Sequence, residues 1–345
     1  MKTVKGLHEK MYTFDNANIS FHKAAENKRF HEEVLAFSMS KEDELLRACE
    51  EVETLTYYQG PYTVFKVWEP KERLIMALPF YDRVVQHMIV NAIGPVFEER
   101  FYCHSYACRE GKGMHAASNQ LYKWLYELMV VQGLRIYAFK GDISKYFASI
   151  PHDGLKDENR RYIGDKKALY LMDNIIDRNG ILPDGVGIPV GNLTSQLFAN
   201  VYGNRLDKFI KHTLHIKYYV RYMDDFIILS PDKEKLRRWL AEIERFLRDE
   251  LRLELNPKTT ILAAKNGIDF VGYKHRATHR KVRPDSIKRI KKTIKKYERG
   301  KITKEQLQKS IQSWTGHAGH ADSYNLRKKI ITLAQAAEEK GGSIS

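Results

Sequence analysis

The chain has 345 residues, of which 43% are hydrophobic and 11% are aromatic, and its formal net charge is +15. A chain of this length and apolar content can build two or three packed lobes, which excludes global disorder. No stretch approaches the roughly 18 consecutive apolar residues of a membrane span, and residues 1–10 are polar and charged. We therefore expect a cytoplasmic protein with no export signal and no membrane partner.

The three cysteines, Cys49, Cys103 and Cys108, suit a reducing compartment because their number is odd. Cys103, His104 and Cys108 lack a second pair of ligands at zinc-binding spacing, so a structural zinc site is disfavoured. We expect the three cysteines to be buried free thiols.

The spacing of apolar residues predicts helices and strands that alternate along the chain. The predicted helices are 41–58, 80–98, 114–132, 154–178, 192–214, 233–250 and a helical stretch from about Asp285 onwards. The predicted strands are 62–68, 73–78, 135–141, 217–221, 226–230, 253–265 and 268–273. This layout indicates an α+β catalytic lobe, with a strand-and-helix lobe before it and a basic helical lobe after it.

Acidic residues stand at the ends of apolar strands in two places. Asp224 and Asp225 lie between two strand-like segments, and Asp142 ends another apolar strand. Adjacent carboxylates repel each other and strands disfavour aspartate, so folding gives no reason for them unless this is a chance turn. If both strands belong to one sheet, the acids converge at one edge. Such a cluster can hold two divalent cations for in-line phosphoryl transfer.

These residues resemble the palm motifs of reverse transcriptases, and Tyr222-Met223-Asp224-Asp225 is the most specific element. The order of the matching residues along the chain also agrees: Lys71 and Arg73, Asp142, Gly191 to Gln196, Asp224, Lys258, and Phe270 to Tyr273. The resemblance implies a right-hand polymerase fold. We accordingly expect an N-terminal helical extension at 1–58, fingers at 59–134, a palm at 135–273 with some finger insertions, and a basic helical thumb at 274–345.

The resemblance also implies the catalytic roles. Asp142 and Asp224 would bind two Mg²⁺ ions, for which Mn²⁺ can substitute, with the backbone carbonyl of Ile143 as a further ligand. Asp225 would support the same metal site as a ligand in part of the cycle.

A second set of residues would contact the incoming deoxynucleoside triphosphate: Lys71, Arg73, Phe147, Val190, Gly191, Gln196 and Lys258. Phe147 would lie beneath the sugar and exclude a 2′-hydroxyl group. Lys258 is a candidate general acid, although a solvated lysine after a turn is an equal alternative. Phe270, Gly272 and Tyr273 would grip the DNA or RNA primer.

Further motifs resemble a narrower family, the diversity-generating retroelement reverse transcriptases. They are Gly187 to Asn200, Tyr106 to Arg109 with Gly111 to Gly113, and Ser313 to Ala318 with Ala321-Asp322. The resemblance implies that the enzyme copies a template-repeat RNA with errors at adenines, in a bacterial, phage or prophage host. It also implies a small basic accessory protein, which forms a pentamer, as the partner.

Val190 and Gln196 depart from the retroviral pattern, which has Gln and Pro at these positions. Valine cannot form a side-chain hydrogen bond, so Val190 is expected to weaken the check on the incoming nucleotide, or else only to pack against its neighbours.

Positive charge is concentrated in the last fifth of the chain. Residues 274–345 contain 19 Lys and Arg against 6 Asp and Glu, a net charge of +13. This indicates a polyanionic partner rather than a merely solvated helix. The expected nucleic-acid contacts are Arg109, Lys112, Lys288, Arg289, Lys291, Lys292, Lys295 and Lys296. Trp314, His317 and His320 are expected to pack between helices, with RNA contact by the histidines as the alternative.

Three alternative functions stay open. A group II intron-like or CRISPR-associated reverse transcriptase would share the catalytic residues. A catalytically idle RNA-binding protein would not need a costly acidic cluster. An RNA-copying RNA polymerase is disfavoured by Phe147 at the sugar position.

Overall fold

A computed structural model describes residues 3–68 and 72–341 of the chain. The helices are α1 (His8–Met11), α2 (Phe14–Ala24), α3 (Glu32–Met39), α4 (Lys41–Glu53), α5 (Phe80–Glu98), α6 (Met114–Tyr126), α7 (Tyr146–Ser149), α8 (His152–Arg160), α9 (Lys166–Asp177), α10 (Leu193–Lys208), α11 (Lys233–Leu251), α12 (Pro284–Glu298), α13 (Lys304–Gly319) and α14 (Tyr324–Gly341). The strands are β1 (Thr63–Trp68), β2 (Glu72–Ala77), β3 (Tyr137–Asp142), β4 (Tyr219–Tyr222), β5 (Asp225–Ser230), β6 (Thr260–Ala263), β7 (Ile268–Phe270), β8 (Tyr273–His275) and β9 (Arg280–Val282).

The chain divides into two compact units. The first unit contains Met1–Arg109, Asp142–Ile216 and Ala241–Pro257, and the second contains Glu110–Gly141, Lys217–Leu240 and Lys258–Ser345. Helices and antiparallel strands are mixed, so the predicted α+β class is confirmed. The four-part division into extension, fingers, palm and thumb stays a prediction.

In the first unit, α5 has the bounds that its apolar spacing predicts. Val84, Val85, Met88, Ile89 and Ile93 are all fully buried. Their spacing places them on one side of the helix, which is the face that a core-packed helix must bury. Strands β1 and β2 form an antiparallel ribbon of two strands, as predicted.

The second unit contains the main sheet, whose strand order is β4-β5-β3-β6. Strand β5 lies inside this order, and its residues from Phe226 to Ser230 are buried. Successive residues point to opposite faces of a sheet, so both faces of β5 are buried, and this favours a continuous apolar run over an alternating one. A second, smaller sheet has the order β7-β8-β9.

Helices α12, α13 and α14 pack around a small apolar core in the second unit. This core includes Ile290, Ile294, Leu307, Trp314 and Ile330. The indole N–H of Trp314 donates to the Ser286 hydroxyl over 3.1 Å, which satisfies the polar atom of a largely buried ring. The prediction that Trp314 packs within this lobe is confirmed.

Several predicted elements differ from the structure. The single helix predicted at 154–178 is two helices, α8 and α9, because Asp165 caps α9 by accepting from the N–H groups of Lys167 and Ala168. The long strand predicted at 253–265 is limited to β6. Within the helical extension predicted at 1–58, the individual helices α1 to α3 were not predicted, and neither was strand β9, since short elements show little periodicity.

The cysteine prediction is wrong for two of the three residues. Cys49 is half-buried, whereas Cys103 and Cys108 are exposed. Both exposed cysteines lie in the connection between α5 and α6, and connections run over the surface. Of the helices in residues 3–68 and 72–341, none is long and apolar enough to cross a bilayer.

Candidate active site

The hairpin of β4 and β5 carries the most specific sequence motif. Tyr222 pairs with Asp225, so Met223 and Asp224 form a two-residue turn. Met223 has a φ of 58°, the left-handed conformation that such turns require and that residues other than glycine seldom adopt. The turn therefore has a fixed backbone shape, and Asp224 lies at its tip.

The Arg221 side chain supports the backbone of this turn. It is fully buried, and Nη1 donates to the carbonyl of Met223 over 2.9 Å. A buried guanidinium is costly unless its donors are satisfied, so this arginine has a positioning role at the base of the turn. Sequence reasoning missed Arg221, although a charged residue inside an apolar strand was a signal that could have identified it.

The neighbouring strand β3 meets β5 at the position of Gly141. An ideal Cβ on Gly141 would lie 2.6 Å from Cε1 of Phe226, with Cζ and Cε2 closer still. The Phe226 ring therefore fills the space that a side chain on Gly141 would need. Asp142 is the next residue and ends β3, while Asp225 precedes Phe226 and begins β5. At this end of the sheet, β3 therefore finishes on an aspartate and the neighbouring β5 begins on one.

The backbone just after β3 is fixed within the first unit. The N–H of Asn256 donates to the carbonyl of Asp142 over 2.7 Å, and the N–H of Ser144 donates to the carbonyl of Glu254 over 2.8 Å. These bonds form a short antiparallel bridge between Ile143 and Leu255. The bridge does not use the carbonyl of Ile143, which is the backbone ligand that the sequence predicts.

The donor chemistry of the predicted metal residues suits magnesium. Carboxylate and backbone carbonyl oxygens are hard ligands, and Mg²⁺ is commonly held by one or two carboxylates plus substrate phosphates. Within residues 3–68 and 72–341, no group of three or more His, Cys, Asp or Glu side chains could hold a metal ion by itself. A metal here would therefore depend on backbone and substrate oxygens in addition to the aspartates.

Several predicted nucleotide contacts come together in the first unit. The N–H of Met76, on β2, donates to the carbonyl of Val190 over 3.1 Å, and the N–H of Ile188 donates to the carbonyl of Phe147 over 2.8 Å. Gly191 has a φ of 123°, and an ideal Cβ there would lie 3.3 Å from the carbonyl oxygen of Met76. Val190 and Phe147 are both half-buried. Backbone hydrogen bonds therefore bring together three segments that are distant in sequence, at Met76, at Phe147 and at 188–191.

The remaining predicted nucleotide contacts are more scattered. Arg73 is exposed on β2 opposite Val67, and Gln196 is half-buried in the first turn of α10. Lys258 is exposed just before β6, in the second unit. Lys71 lies outside the residues that the structure describes.

The predicted primer grip is a tight hairpin and not one strand, which corrects the strand predicted at 268–273. Phe270 pairs with Tyr273, and both side chains are fully buried. Val271 and Gly272 form the turn with φ values of 39° and 88°. Two consecutive positive φ values are typical of a two-residue hairpin turn. These two aromatic rings are therefore not exposed to a primer, and the primer grip stays a prediction.

The prediction that Arg109 contacts nucleic acid is wrong. Its side chain is 5% exposed, and its Nε lies 2.9 Å and 3.0 Å from the two carboxylate oxygens of Glu98. Nη1 donates to the carbonyls of Tyr102 and Ser105. Arg109 therefore organises the loop after α5, since its donors are used within the protein. Lys112, which is half-buried, stays a predicted contact.

The six predicted basic contacts of α12 are all exposed: Lys288, Arg289, Lys291, Lys292, Lys295 and Lys296. The opposite face of the helix buries Ile290 and Ile294. Among the described residues, none of the six basic side chains forms an ion pair with an acid. Their charge is therefore available to an anionic partner.

Comparison with known protein families gives a match that covers more than half of the chain. The profile described as "Reverse transcriptase (RNA-dependent DNA polymerase)" matches residues 67–275. This range contains both aspartate-bearing strand ends and the hairpin at 270–273.

Curated proteins and solved structures give more distant similarities. Protein YkfC of Escherichia coli K12 is 26% identical over 269 residues, which cover 64% of this chain and 69% of that protein. The group II intron-encoded protein LtrA of Lactococcus lactis is 22% identical over 333 residues, which cover 76% of this chain and 54% of LtrA. A structure of telomerase from Candida albicans with a fragment of telomeric RNA has a TM-score of 0.49 at 12% identity, covering 82% of this chain and 56% of that chain. The chain therefore spans little more than half of LtrA and of the telomerase chain.

Proposed function

The chain belongs to the reverse transcriptase family of RNA-dependent DNA polymerases, and we propose that it copies a template-repeat RNA into error-prone cDNA. Family membership also supports the right-hand polymerase fold that the sequence resemblance implied. The observation that carries the proposal is the sheet end at which β3 finishes on Asp142 and β5 begins on Asp225, with Asp224 in the adjoining turn.

Two Mg²⁺ ions are the proposed cofactors. When bound, they would stabilise the attacking and leaving oxygens of the transferred phosphoryl group. Asp142, Asp224 and the carbonyl of Ile143 would hold them, with Asp225 in support. The protein's own contribution is to fix these oxygens. The Met223 turn sets the backbone next to Asp224, and the Ile143–Leu255 bridge sets the backbone after Asp142.

The proposed substrates are deoxynucleoside triphosphates, with an RNA template and a DNA or RNA primer. Phe147 supports deoxyribose over ribose, because a half-buried aromatic ring offers no hydrogen-bond partner to a 2′-hydroxyl group. Arg73 would meet the triphosphate, since its exposed guanidinium matches phosphate oxygens in a forked geometry.

Template-directed mutagenesis at adenines is the finer part of the proposal. It is supported by Val190 and by the segments from Gly187 to Asn200 and from Ser313 to Ala318, which resemble diversity-generating retroelement enzymes. A small basic pentameric accessory protein would then be the partner. The similarity to LtrA favours the second candidate, a group II intron-like reverse transcriptase with faithful copying.

One experiment tests both levels of the proposal. The purified chain is given a primed RNA, four deoxynucleoside triphosphates and MgCl₂, with and without the accessory protein, and the cDNA is sequenced. Incorporation that EDTA abolishes supports the polymerase. Errors concentrated opposite template adenines support the mutagenic role, whereas faithful cDNA favours the intron-like alternative. Absence of incorporation under all conditions, with folded protein, contradicts the polymerase itself.

A further inference from the structure

Three histidines from distant parts of the second unit meet beside the hairpin of β7 and β8. The rings of His115 and His320 are stacked with centroids 3.6 Å apart, and His317 stacks on Tyr273 at 4.7 Å. His115 and His317 are half-buried and His320 is exposed. Helix α6 supplies the first histidine, and the end of α13 supplies the other two. The cluster is therefore a surface feature and not a buried packing contact.

The Tyr273 hydroxyl fixes the tautomers of two of these imidazoles. It donates to the carbonyl of His317 over 2.8 Å, and its oxygen lies 3.1 Å from Nδ1 of both His115 and His317. The assignment that satisfies all three contacts puts the hydroxyl proton on the carbonyl of His317 and a hydrogen on both Nδ1 atoms, which then donate to the hydroxyl oxygen. In the neutral imidazoles, Nε2 is then the basic atom. Among the described residues, neither Nε2 has a hydrogen-bond partner.

The other charged and titratable groups around the cluster are mostly cationic or neutral. From β9, Arg280 donates to Ser118 and Asn119 on α6. His275, on β8, hydrogen-bonds with the Ser118 hydroxyl. Asp322, two residues after His320 in the sequence, accepts from the backbone N–H of Arg280. No carboxylate among the described residues therefore pairs with the three imidazoles.

The helix ends favour an anion and a protonated imidazole at this place. The N-cap of α6 is Gly113, which offers no capping side chain, and His115 is in the first turn. A helix N-terminus attracts negative charge. His317 is in the last turn of α13 and His320 is its C-cap, where the helix dipole stabilises positive charge. An anion bound between these helix ends would neutralise the partial positive charge at the start of α6 and the charge of a protonated imidazole at the end of α13.

We propose that His115, His317 and His320 form a binding site for a backbone phosphate of bound nucleic acid, and that His115 and His317 take up protons as the site fills. This inference rests on the proposed function, which supplies nucleic acid as the ligand. Each proton comes from solvent and adds to an Nε2 atom, which then donates to a phosphate oxygen.

The electrostatics of the free protein determine the sign of the pH dependence. Partial burial lowers the pKa of His115, and the neighbouring His320, His317 and Arg280 lower it further. Partial burial and then His320 lower the pKa of His317. These two groups are therefore neutral at neutral pH, and a bound phosphate would raise their pKa. A complex that binds more protons than its free components tightens as the pH falls.

The test measures the affinity of the full chain for a fluorescent DNA primer annealed to RNA, by anisotropy between pH 6 and 8 at constant salt. Each proton taken up tightens binding about tenfold per pH unit at the steepest point. The main variant replaces all three histidines by glutamine, and His115→Gln alone is the milder version in case the triple variant fails to fold. Glutamine does not titrate, and its N–H can donate to the Tyr273 hydroxyl in place of Nδ1–H, so affinity at pH 8 should stay within about twofold. The matched control is His212→Gln, at an exposed histidine in the first unit.

The inference is supported if wild type and the control tighten as the pH falls and the cluster variants tighten clearly less. Equal slopes in all four proteins would overturn it. Binding that weakens at low pH would also overturn it, because the cluster would then be a packing contact that opens on protonation. Magnesium-dependent incorporation at pH 8, measured in the same proteins, keeps this result separate from the proposed function. An active polymerase with a pH-independent affinity contradicts the phosphate site alone.

Discussion

Gly141 and Phe226 are in contact across β3 and β5, and the aromatic ring occupies the place of the missing side chain. The contact fixes the lateral position of the two strands at the end that carries the aspartates. Close backbone approach is one of the few reasons for glycine in a strand interior, where it otherwise weakens the sheet. The two residues are 85 positions apart in the sequence.

We predict that Gly141→Ala destabilises the protein and reduces incorporation. The added methyl group would overlap the Phe226 ring, and overpacking of this kind costs about 1–3 kcal/mol. Thermal unfolding and incorporation on primed RNA measure the two effects. Gly316→Ala is the matched control, since nothing lies within 4 Å of an ideal Cβ there and alanine favours the helix. Equal unfolding temperatures for the two variants would contradict the contact.

Asp224→Asn should leave the fold intact and nearly abolish nucleotide incorporation. Loss of a metal ligand removes charge stabilisation worth several kcal/mol, which is at least about a hundredfold in rate. Circular dichroism and single-nucleotide extension measure the outcome. Asp157→Asn, at an exposed aspartate of α8, should extend normally. Near-normal extension by folded Asp224→Asn protein would refute the metal assignment.

The basic face of α12 should contribute to binding by neutralising backbone phosphates. Replacing Lys288, Lys292 and Lys295 by glutamine should lower the slope of log K against log salt by about 0.7–0.9 for each phosphate that is no longer neutralised. The binding of primed RNA at several salt concentrations gives this slope. Lys309→Gln is the control, because Lys309 is paired with Glu305 over 2.7 Å on α13. A slope unchanged in the triple variant would place the nucleic acid elsewhere.

Arg109→Gln should affect stability and not the salt dependence of binding. Arg109 is the partner of Glu98 and donates to two loop carbonyls, so its removal leaves several acceptors unsatisfied. Breaking a largely buried ion pair costs about 3–5 kcal/mol, and somewhat less here because Glu98 is partly exposed. Denaturant unfolding should show this decrease in stability. The salt slope of RNA binding by the variant should match that of wild type. A lowered slope with normal stability would instead show that Arg109 does contact nucleic acid.

Val190→Gln should reduce misincorporation opposite template adenine, with slower overall synthesis. Polar contacts that a mispair cannot satisfy discriminate well, whereas an aliphatic side chain offers only shape, and about 1.4 kcal/mol changes the error ratio tenfold. The backbone bond from Met76 to Val190 should survive the substitution. Sequencing of cDNA made with the accessory protein present measures the errors.

Val186→Gln is the control for that change, since it introduces the same side chain at another half-buried valine of the same loop. Wild-type errors are expected in this control. If the Val190 variant is active and its adenine errors persist at the original rate, Val190 is only a packing residue.

The sequence by itself determined the features that depend on local pattern. Apolar spacing predicted the bounds of α5, and the acids at the ends of apolar segments predicted where β3 and the β4–β5 hairpin lie. These predictions succeed because hydrophobic periodicity and turn chemistry act within a few residues.

Only the tertiary structure decided which distant residues meet. It buried Arg109 against Glu98, placed Arg221 beneath the turn, and folded residues 270–273 into a hairpin. A basic or aromatic residue has the same local signature whether it faces solvent or a partner within the chain. Its environment depends on packing between segments that lie far apart in sequence, as it does for His115 and His317, which are 202 positions apart.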